Sequence, residues 1–370
     1  MSKYFSEKYK DLIPYTPGEQ PKDMKYVKLN TNESHVAPSQ KAQEYAAKAA
    51  KDLELYPDPD CTLLREKMAS LYNLDKDEIV IVNGSDEILN FAFMAYCDDN
   101  TPAAFADITY GFYPVFAKIN KVPFVEIPLN ENYEINVEDY LNINKTIFIA
   151  NPNAPTGIAL SLDKIEQIVA SNKDNIVVVD EAYVDFGAQS AVSLIRKYDN
   201  LLVTQTFSKS RSMAGARLGM GFANKKLIQD INTIRYSTNP YNINRMTMAA
   251  GIGTIEDNEY AMNNCKTIID NRSYTIKKLS ELGFKTLDSK ANFVFTTNEK
   301  YSAEYLYKTL KENGVLVRYF NKARLSNYLR ITIGSKEEMD ILFRKLEKIM
   351  EESKWETQQL REKLQKQISS

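Results

Sequence analysis

Four groups of residues able to do chemistry follow short apolar runs: Gly84-Ser85-Asp86, the segment 151–157 (Asn-Pro-Asn-Ala-Pro-Thr-Gly), Asp180-Glu181-Ala182-Tyr183, and Ser208-Lys209 with Arg217 eight residues later. The chain has one histidine, His35, so a histidine base or a multi-histidine metal site has almost nothing to work with. Catalysis therefore falls to Lys, Tyr, Asp, Arg or a cofactor. Singly, each group has a plain structural reading. A serine before a helix is usually a cap, and an Asp-Glu pair at a strand end is often a solvated turn. Four such groups in succession, each after a strand, point to a common task.

That task matches the needs of pyridoxal phosphate. It carries a phosphate dianion, a pyridine nitrogen to be kept protonated, a phenolic oxygen, and an aldehyde that must condense with an amine. Ser85 and Asp86 open a helix directly after a strand, where backbone N–H groups hold anions. Thr206 and Ser208 add hydroxyls, and Arg217 a charge-assisted fork. Asp180 can pair with the ring nitrogen, Tyr183 can donate to the phenolic oxygen, and Lys209 can supply the amine, activated by desolvation and nearby positive charge.

These residues need a scaffold, and the apolar pattern supplies one. Runs at 79–82, 146–150, 176–179 and 201–206 are short, apolar on both sides and poor in alternation, as in buried strands of a mostly parallel sheet. Helical patterns at 88–96 and 163–170 lie between them, giving the repeat of an α/β protein. Ligands of such sheets bind at the carboxyl ends of the strands, which is where the four groups fall. From about residue 259 the texture changes to a long helical pattern through Leu282, strands at 292–296, 315–318 and 328–333, a helix at 303–312 and a charged helix from Glu337. The expected organisation is an N-terminal arm (1–34), a large cofactor-binding domain (35–258), a smaller α+β domain (259–352) and a polar helical tail (353–370).

Composition removes other classes. In 370 residues, 47 basic side chains nearly balance 49 acidic ones, giving no electrostatic reason to expect nucleic acid or an anionic membrane. Cys61, Cys97 and Cys265 are scattered and odd in number, forming neither a disulfide framework nor a metal-ligand cluster, which suits a reducing cytoplasm. No signal-peptide pattern and no membrane-spanning apolar stretch is read.

The runs at 151–157 and 180–183, Ser208-Lys209 and Ala214-Gly215-Ala216-Arg217-Leu218-Gly219 resemble the fold-type I aminotransferases, and within them the histidinol-phosphate aminotransferase family. Leu29-Asn30-Thr31-Asn32-Glu33, Tyr56-Pro57-Asp58, the run 84–87 and Leu329-Arg330-Ile331-Thr332-Ile333-Gly334 extend the resemblance over nearly the whole chain. The resemblance implies a homodimer with active sites shared between subunits, Tyr56 reaching the neighbouring cofactor phosphate. It implies Tyr110 over the pyridine ring and Arg330 facing the carboxylate of glutamate or 2-oxoglutarate. It implies Arg318 on the substrate phosphate, helped by Tyr15, with Asn32 and Glu33 lining the substrate pocket. Two positions depart from the family pattern. Ala154 stands where relatives carry an asparagine that bonds the phenolic oxygen, leaving that bond to Asn153 or to Tyr183 alone. Ser34-His35-Val36 replace the usual turn after Asn-Glu.

The expected reaction is ping-pong transamination between histidinol phosphate and 2-oxoglutarate. Aromatic amino acid transamination and decarboxylation of a phosphorylated amino acid remain open on the same site. A non-catalytic binding module is disfavoured by Lys209, Asp180 and Arg217 together. A dinucleotide-binding dehydrogenase is disfavoured because no G-x-G-x-x-G follows the first strand.

Overall fold

The computed structural model describes residues 2–368, with side chains described for 2–352. The polar tail 353–370, in its side chains and last two residues, lies outside the described residues. In chain order, β1 (Val27–Lys28) is followed by α1 (Gln40–Ala49), α2 (Thr62–Tyr72), β2 (Ile79–Val82), α3 (Ser85–Tyr96) and β3 (Ala103–Ala106). Next come α4 (Tyr113–Asn120), β4 (Phe124–Ile127), β5 (Thr146–Ala150), α5 (Leu162–Ser171), β6 (Val177–Asp180), β7 (Leu201–Thr206) and β8 (Gly219–Phe222). Three helices then run in succession: α6 (Lys225–Thr238), α7 (Arg245–Glu256) and α8 (Asn258–Glu281). The remainder is β9 (Phe284–Thr286), β10 (Phe293–Asn298), α9 (Ala303–Glu312), β11 (Val315–Leu316), β12 (Arg318–Tyr319), β13 (Tyr328–Thr332) and α10 (Lys336–Ile368).

The chain divides into two compact units. One comprises residues up to Pro17, Glu33–Thr267 and Asp288–Ala291, and the other Gly18–Asn32, Ile268–Leu287 and Asn292 onward. The first is built on a seven-stranded sheet in the order β2-β8-β7-β6-β5-β3-β4, in which only β8 is antiparallel to its neighbours. Strands β2, β5, β6 and β7 are fully buried, which is why β2, β5 and β6 read as mostly apolar runs without alternation, while β7 passes from Leu201–Val203 into buried Thr204, Gln205 and Thr206.

Period-two geometry sends successive side chains of these strands to opposite faces. Phe148, Val178 and Leu202 pack with α3, α4 and α6 on one face. Ile147, Ile149, Val177, Val179 and Val203 pack with α2, α5 and α7 on the other. Helix α5 shows how sequence dictates this: Ile165, Ile168 and Val169 recur at helical spacing and are its buried residues.

The second unit holds a four-stranded antiparallel sheet, β12-β13-β10-β9, and a separate parallel pair, β1-β11. The single strand expected at 315–318 is two strands in different sheets. Val315 and Leu316 pair with Val27 and Lys28, whereas Arg318 and Tyr319 pair with Arg330 and Leu329. The physical reason is a change of partner at Val317, which no apolar pattern records.

One ionic cluster ties three helices of the first unit together. Glu256, closing α7, accepts from Lys41 and Lys67 at 2.9 Å each and from the Tyr45 hydroxyl at 2.8 Å. The hydrogen bonds from Lys41, Lys67 and Tyr45 hold its carboxyl down at about 2. A carboxylate whose pKa is depressed by folding stabilises above its unfolded value and loses that contribution as the pH falls through the folded one. The stabilisation is therefore complete above roughly pH 4.5 and fades towards pH 2. Glu256→Gln should lower the denaturation midpoint at pH 7 and lower it much less at pH 3; equal losses at the two pH values would refute the cluster's role.

Candidate active site

The register of the sheet sets the site. Asp180 ends β6 opposite Ala150 on β5 and Thr204 on β7, and Gly219 lies between Val82 of β2 and Thr206 of β7. The carboxyl ends of β2, β5, β6 and β7 thus bring together all four groups read from the sequence. Alternation along β6 separates its two acids. Asp180 shares the face of Val178, while Glu181 turns to the opposite face, where it accepts from Ser190 Oγ and the Ala191 amide at 2.6 Å each and from Gln205 Nε2 at 2.8 Å. Burial raises the Glu181 carboxyl to about 7.

Asp180 is 4% exposed. Its Oδ2 accepts from Tyr113 Oη at 3.0 Å, and its Oδ1 from the Ala182 amide at 3.3 Å and Thr204 Oγ1 at 3.4 Å. Burial pushes its carboxyl up to about 6; the Tyr113 hydrogen bond counteracts this and the Asp86 charge adds to it. Tyr113 was not legible as a site residue. Followed by Pro114, it reads only as the start of α4, and its reach to an acid 67 positions away is a product of tertiary packing. Lys209, half-buried in the loop after β7, places Nζ 5.8 Å from the ring centre of Tyr183.

The anion cradle is assembled at the head of α3. Gly84 is the N-cap residue, with φ +75°, and no side chain caps the helix, so Ser85 and Asp86 begin it with open amides. A Cβ on Gly84 would lie 2.5 Å from Arg217 Nη2, and one on Gly219 would lie 2.5 Å from the Gly84 carbonyl carbon and 2.6 Å from the Ser85 nitrogen. Guanidinium and helix terminus are therefore in close apposition, at positions where only glycine fits. Arg217 itself adopts a left-handed backbone (φ 55°), a strained choice for a non-glycine residue. Its Nη1 donates to Ser208 Oγ at 3.3 Å and its Nη2 to Asp86 Oδ2 at 3.2 Å, while Thr206 Oγ1 donates to Ser208 Oγ at 3.0 Å. Tyr110 Oη donates to the other Asp86 oxygen at 2.6 Å. The Asp86 side chain thus orients both Arg217 and Tyr110, a role beyond the backbone amide assigned to it from sequence.

These residues fit pyridoxal phosphate. Helix amides, two hydroxyls and a guanidinium suit the dianion, the buried carboxylate suits a protonated ring nitrogen, and Lys209 offers an amine. Asn153 is buried, and its amide nitrogen donates to the Ile108 carbonyl at 2.9 Å and to Thr156 Oγ1 at 3.1 Å. Its carbonyl oxygen accepts from Thr109 Oγ1 at 2.8 Å.

The other expected residues fall in separate places. Tyr15 stacks on Phe112 (centroids 4.3 Å, 26°) and lies 6.5 Å from the Tyr110 ring. Tyr56 is 76% exposed and stacks on Tyr241 at 4.6 Å. Glu33 is half-buried in the first unit. In the second unit, Asn32 is buried with φ 57°; its amide donates to Thr332 Oγ1 at 3.0 Å and its Oδ1 accepts from the same hydroxyl at 3.0 Å. Arg330 Nη2 donates to the Asn30 carbonyl at 2.9 Å, and Arg318 is its direct cross-strand partner.

An α/β sheet whose strand ends carry an amine, a buried carboxylate and an anion cradle defines a cofactor-dependent enzyme of the aminotransferase kind. Residues 24–346 match the model of the aminotransferase class I and II family, and the chain belongs to that family. Its cofactor is pyridoxal 5′-phosphate, and its fold is that of the fold-type I aminotransferases. The chain is 50% identical to a histidinol-phosphate aminotransferase of Brachyspira hyodysenteriae, covering 95% of this chain and 99% of the relative. It is also 50% identical, over 95% and 99%, to one of Clostridium botulinum. Among solved structures, the histidinol-phosphate aminotransferase of Clostridium acetobutylicum superposes with a TM-score of 0.80 at 26% identity, covering 87% of this chain and 98% of that one.

Asp180→Asn should lower turnover by about 10²–10³-fold, the scale seen when a positioned electrostatic partner is lost. Tyr113→Phe, which removes one donor from that carboxylate, should weaken cofactor binding by roughly 10-fold, the equivalent of one hydrogen bond to a charged group. Steady-state turnover at saturating cofactor checks the first and cofactor titration followed by absorbance the second, with circular dichroism confirming the fold; unchanged binding in Tyr113→Phe would separate Tyr113 from the site.

Proposed function

We propose that this chain interconverts histidinol phosphate and 2-oxoglutarate with imidazole-acetol phosphate and glutamate, by ping-pong transamination. The observation that carries the reading is the pairing of Arg318 with Arg330 on adjacent strands, two cations for a reaction whose substrates bring a phosphate in one half and carboxylates in the other. The identity to histidinol-phosphate aminotransferases over nearly the full length of both chains supports it.

Bound pyridoxal phosphate supplies an electron sink that makes the α-proton of the amino substrate labile. Ser85, Asp86, Thr206, Ser208 and Arg217 hold its phosphate, and Asp180 keeps the ring nitrogen protonated. Tyr110 covers the ring and Tyr183 donates to the phenolic oxygen, a bond left to it because the Asn153 donors are engaged elsewhere. Lys209 Nζ anchors the cofactor, takes the proton from the substrate α-carbon and returns one on the way to product. Arg330 takes the carboxylate of glutamate or 2-oxoglutarate. Arg318, with Tyr15, takes the phosphate of histidinol phosphate, and Asn32 and Glu33 face the imidazole end.

The protein works as a cytoplasmic homodimer. Leu53, Leu55, Tyr56, Tyr241 and Met246 are all exposed on the first unit, a concentration of apolar surface that a second copy would cover. Tyr56 then serves the phosphate of the partner's cofactor. Among the described residues, no helix is long and apolar enough to cross a membrane.

Absorbance of the purified protein tests the reaction. A visible cofactor band should be lost on adding histidinol phosphate and return with 2-oxoglutarate, and Lys209→Ala should abolish both changes. A band indifferent to histidinol phosphate but responsive to an aromatic amino acid would redirect the substrate. The shared site has its own test: mixing Lys209→Ala with Tyr56→Ala after subunit exchange should restore partial activity, whereas strictly additive residual activities would oppose it.

A further inference from the structure

Ser212, in the loop that bears Lys209, has a left-handed backbone (φ 57°). Glycine adopts that conformation freely, whereas a residue with a Cβ holds it only where the surroundings demand it, commonly at a functional site. The Ser212 side chain makes one specific contact: its Oγ donates to Ser34 Oγ at 2.8 Å. Its amide donates to the Lys209 carbonyl at 3.3 Å, closing the turn that begins at the amine-bearing residue. Ser212 thus joins Lys209 through its backbone and Ser34 through its hydroxyl.

Both partners belong to the first unit, and both are well anchored. Ser210, Arg211 and Met213, which flank Ser212, are buried. Arg211 Nη1 donates to Asn258 Oδ1 at 2.8 Å, and the Met213 amide to the Phe207 carbonyl at 3.0 Å. On the other side, Ser34 Oγ also accepts from the Val36 amide at 3.3 Å, a local turn made by a serine hydroxyl on its own chain. Ser34 directly follows Glu33, and 34–36 is the stretch that departs from the family pattern. A strained serine in the lysine loop therefore grips the segment that carries a proposed substrate contact.

We infer that Ser212 is a positioning residue for substrate choice. Through Ser34 it holds the Glu33 segment at a fixed offset from the Lys209 amine, which suits an amino substrate with a hydrogen-bonding ring at a set distance from its reacting amine. The inference rests on the proposed facing of Glu33 to the imidazole end. Glu33 has further contacts of its own, so loss of the link loosens the segment without freeing it. The effect is graded, and it falls on the substrate that uses Glu33. 2-Oxoglutarate, taken at Arg330, is spared.

The test is steady-state kinetics of the holoenzyme with the two substrates varied in turn, beside thermal denaturation. Ser212→Gly removes the hydroxyl and the backbone strain together. Its KM for histidinol phosphate should rise about 3- to 10-fold, the scale of one hydrogen bond. Its kcat and its KM for 2-oxoglutarate should each change by less than about 2-fold, since the backbone bond that closes the Lys209 turn remains. Its denaturation midpoint should equal or exceed that of the wild type. Ser212→Ala, which loses the hydroxyl and keeps the strain, should show the same KM rise and melt below the Gly variant. Adding Ser212→Gly to Ser34→Ala should raise the histidinol phosphate KM no further, because the two share one interaction. Equal KM rises for both substrates, a fall in kcat alone, an unchanged KM in Ser212→Gly, or additive losses in the double variant would overturn the inference. Glu33→Gln keeps the two levels apart. If it leaves the histidinol phosphate KM unchanged, the role of Glu33 falls and this inference with it. If it raises that KM while Ser212→Gly does not, only the inference falls.

Discussion

Burying a carboxylate at the end of a central strand is the constraint around which the first unit is arranged. Removing Asp180 from water favours its neutral form, yet a ring-nitrogen partner requires the charge. Tyr113, the Ala182 amide and Thr204 meet that demand with three donors from three places in the sheet and its covering helices. Each donor fixes something else. Tyr113 sets where α4 begins against Phe105 and Phe148, Thr204 requires β7 in register beside β6, and the Ala182 amide turns the chain towards Tyr183. The neighbouring Glu181 repeats the problem on the opposite face with a different solution, Ser190, Ala191 and Gln205, the last passing on to Tyr72 of α2 at 2.8 Å.

The anion cradle follows a complementary logic. Here the cost lies in gathering positive potential, and it is moderated by one acid, Asp86, that binds both Arg217 and Tyr110. Two glycines make the approach possible. Gly84 accepts a left-handed turn, and Gly219 admits the backbone of the helix start where any side chain would collide with it. The second unit gathers cations on a β-ladder instead, with aromatic faces beside them.

Sequence made the heavily buried strands legible because burial on both faces leaves a short apolar run without alternation, as in β2, β5 and β6. It concealed β3 and β8. Ala103–Ala106 is mostly alanine and Gly219–Phe222 half glycine, both poor in the branched residues that mark strands. The antiparallel course of β8 was likewise unreadable, since direction is a property of pairing. The groups at Ser85-Asp86, Asp180 and Ser208-Lys209 stood out because each lies at or just beyond the end of a strand. Tyr113 did not, because an aromatic residue near an acid in space looks, along the chain, like any core residue.

The antiparallel insertion of β8 has a kinetic consequence. Because β7 and β8 run in opposite directions as neighbours, the segment bearing Lys209 and Arg217 leaves and re-enters the sheet at one end, pinned by the Phe207 amide on the Leu218 carbonyl at 3.0 Å. That hairpin closes over a short stretch of chain, and the Arg217–Ser208 bond spans only 9 positions. The Arg217–Asp86 bond spans 131. Short loops close at little entropic expense and form early, whereas distant pairings wait for the rest of the domain. Amine and guanidinium can thus be assembled as a local unit before the helix they serve arrives, and capture of a phosphate becomes a late event that reports completion of the whole sheet.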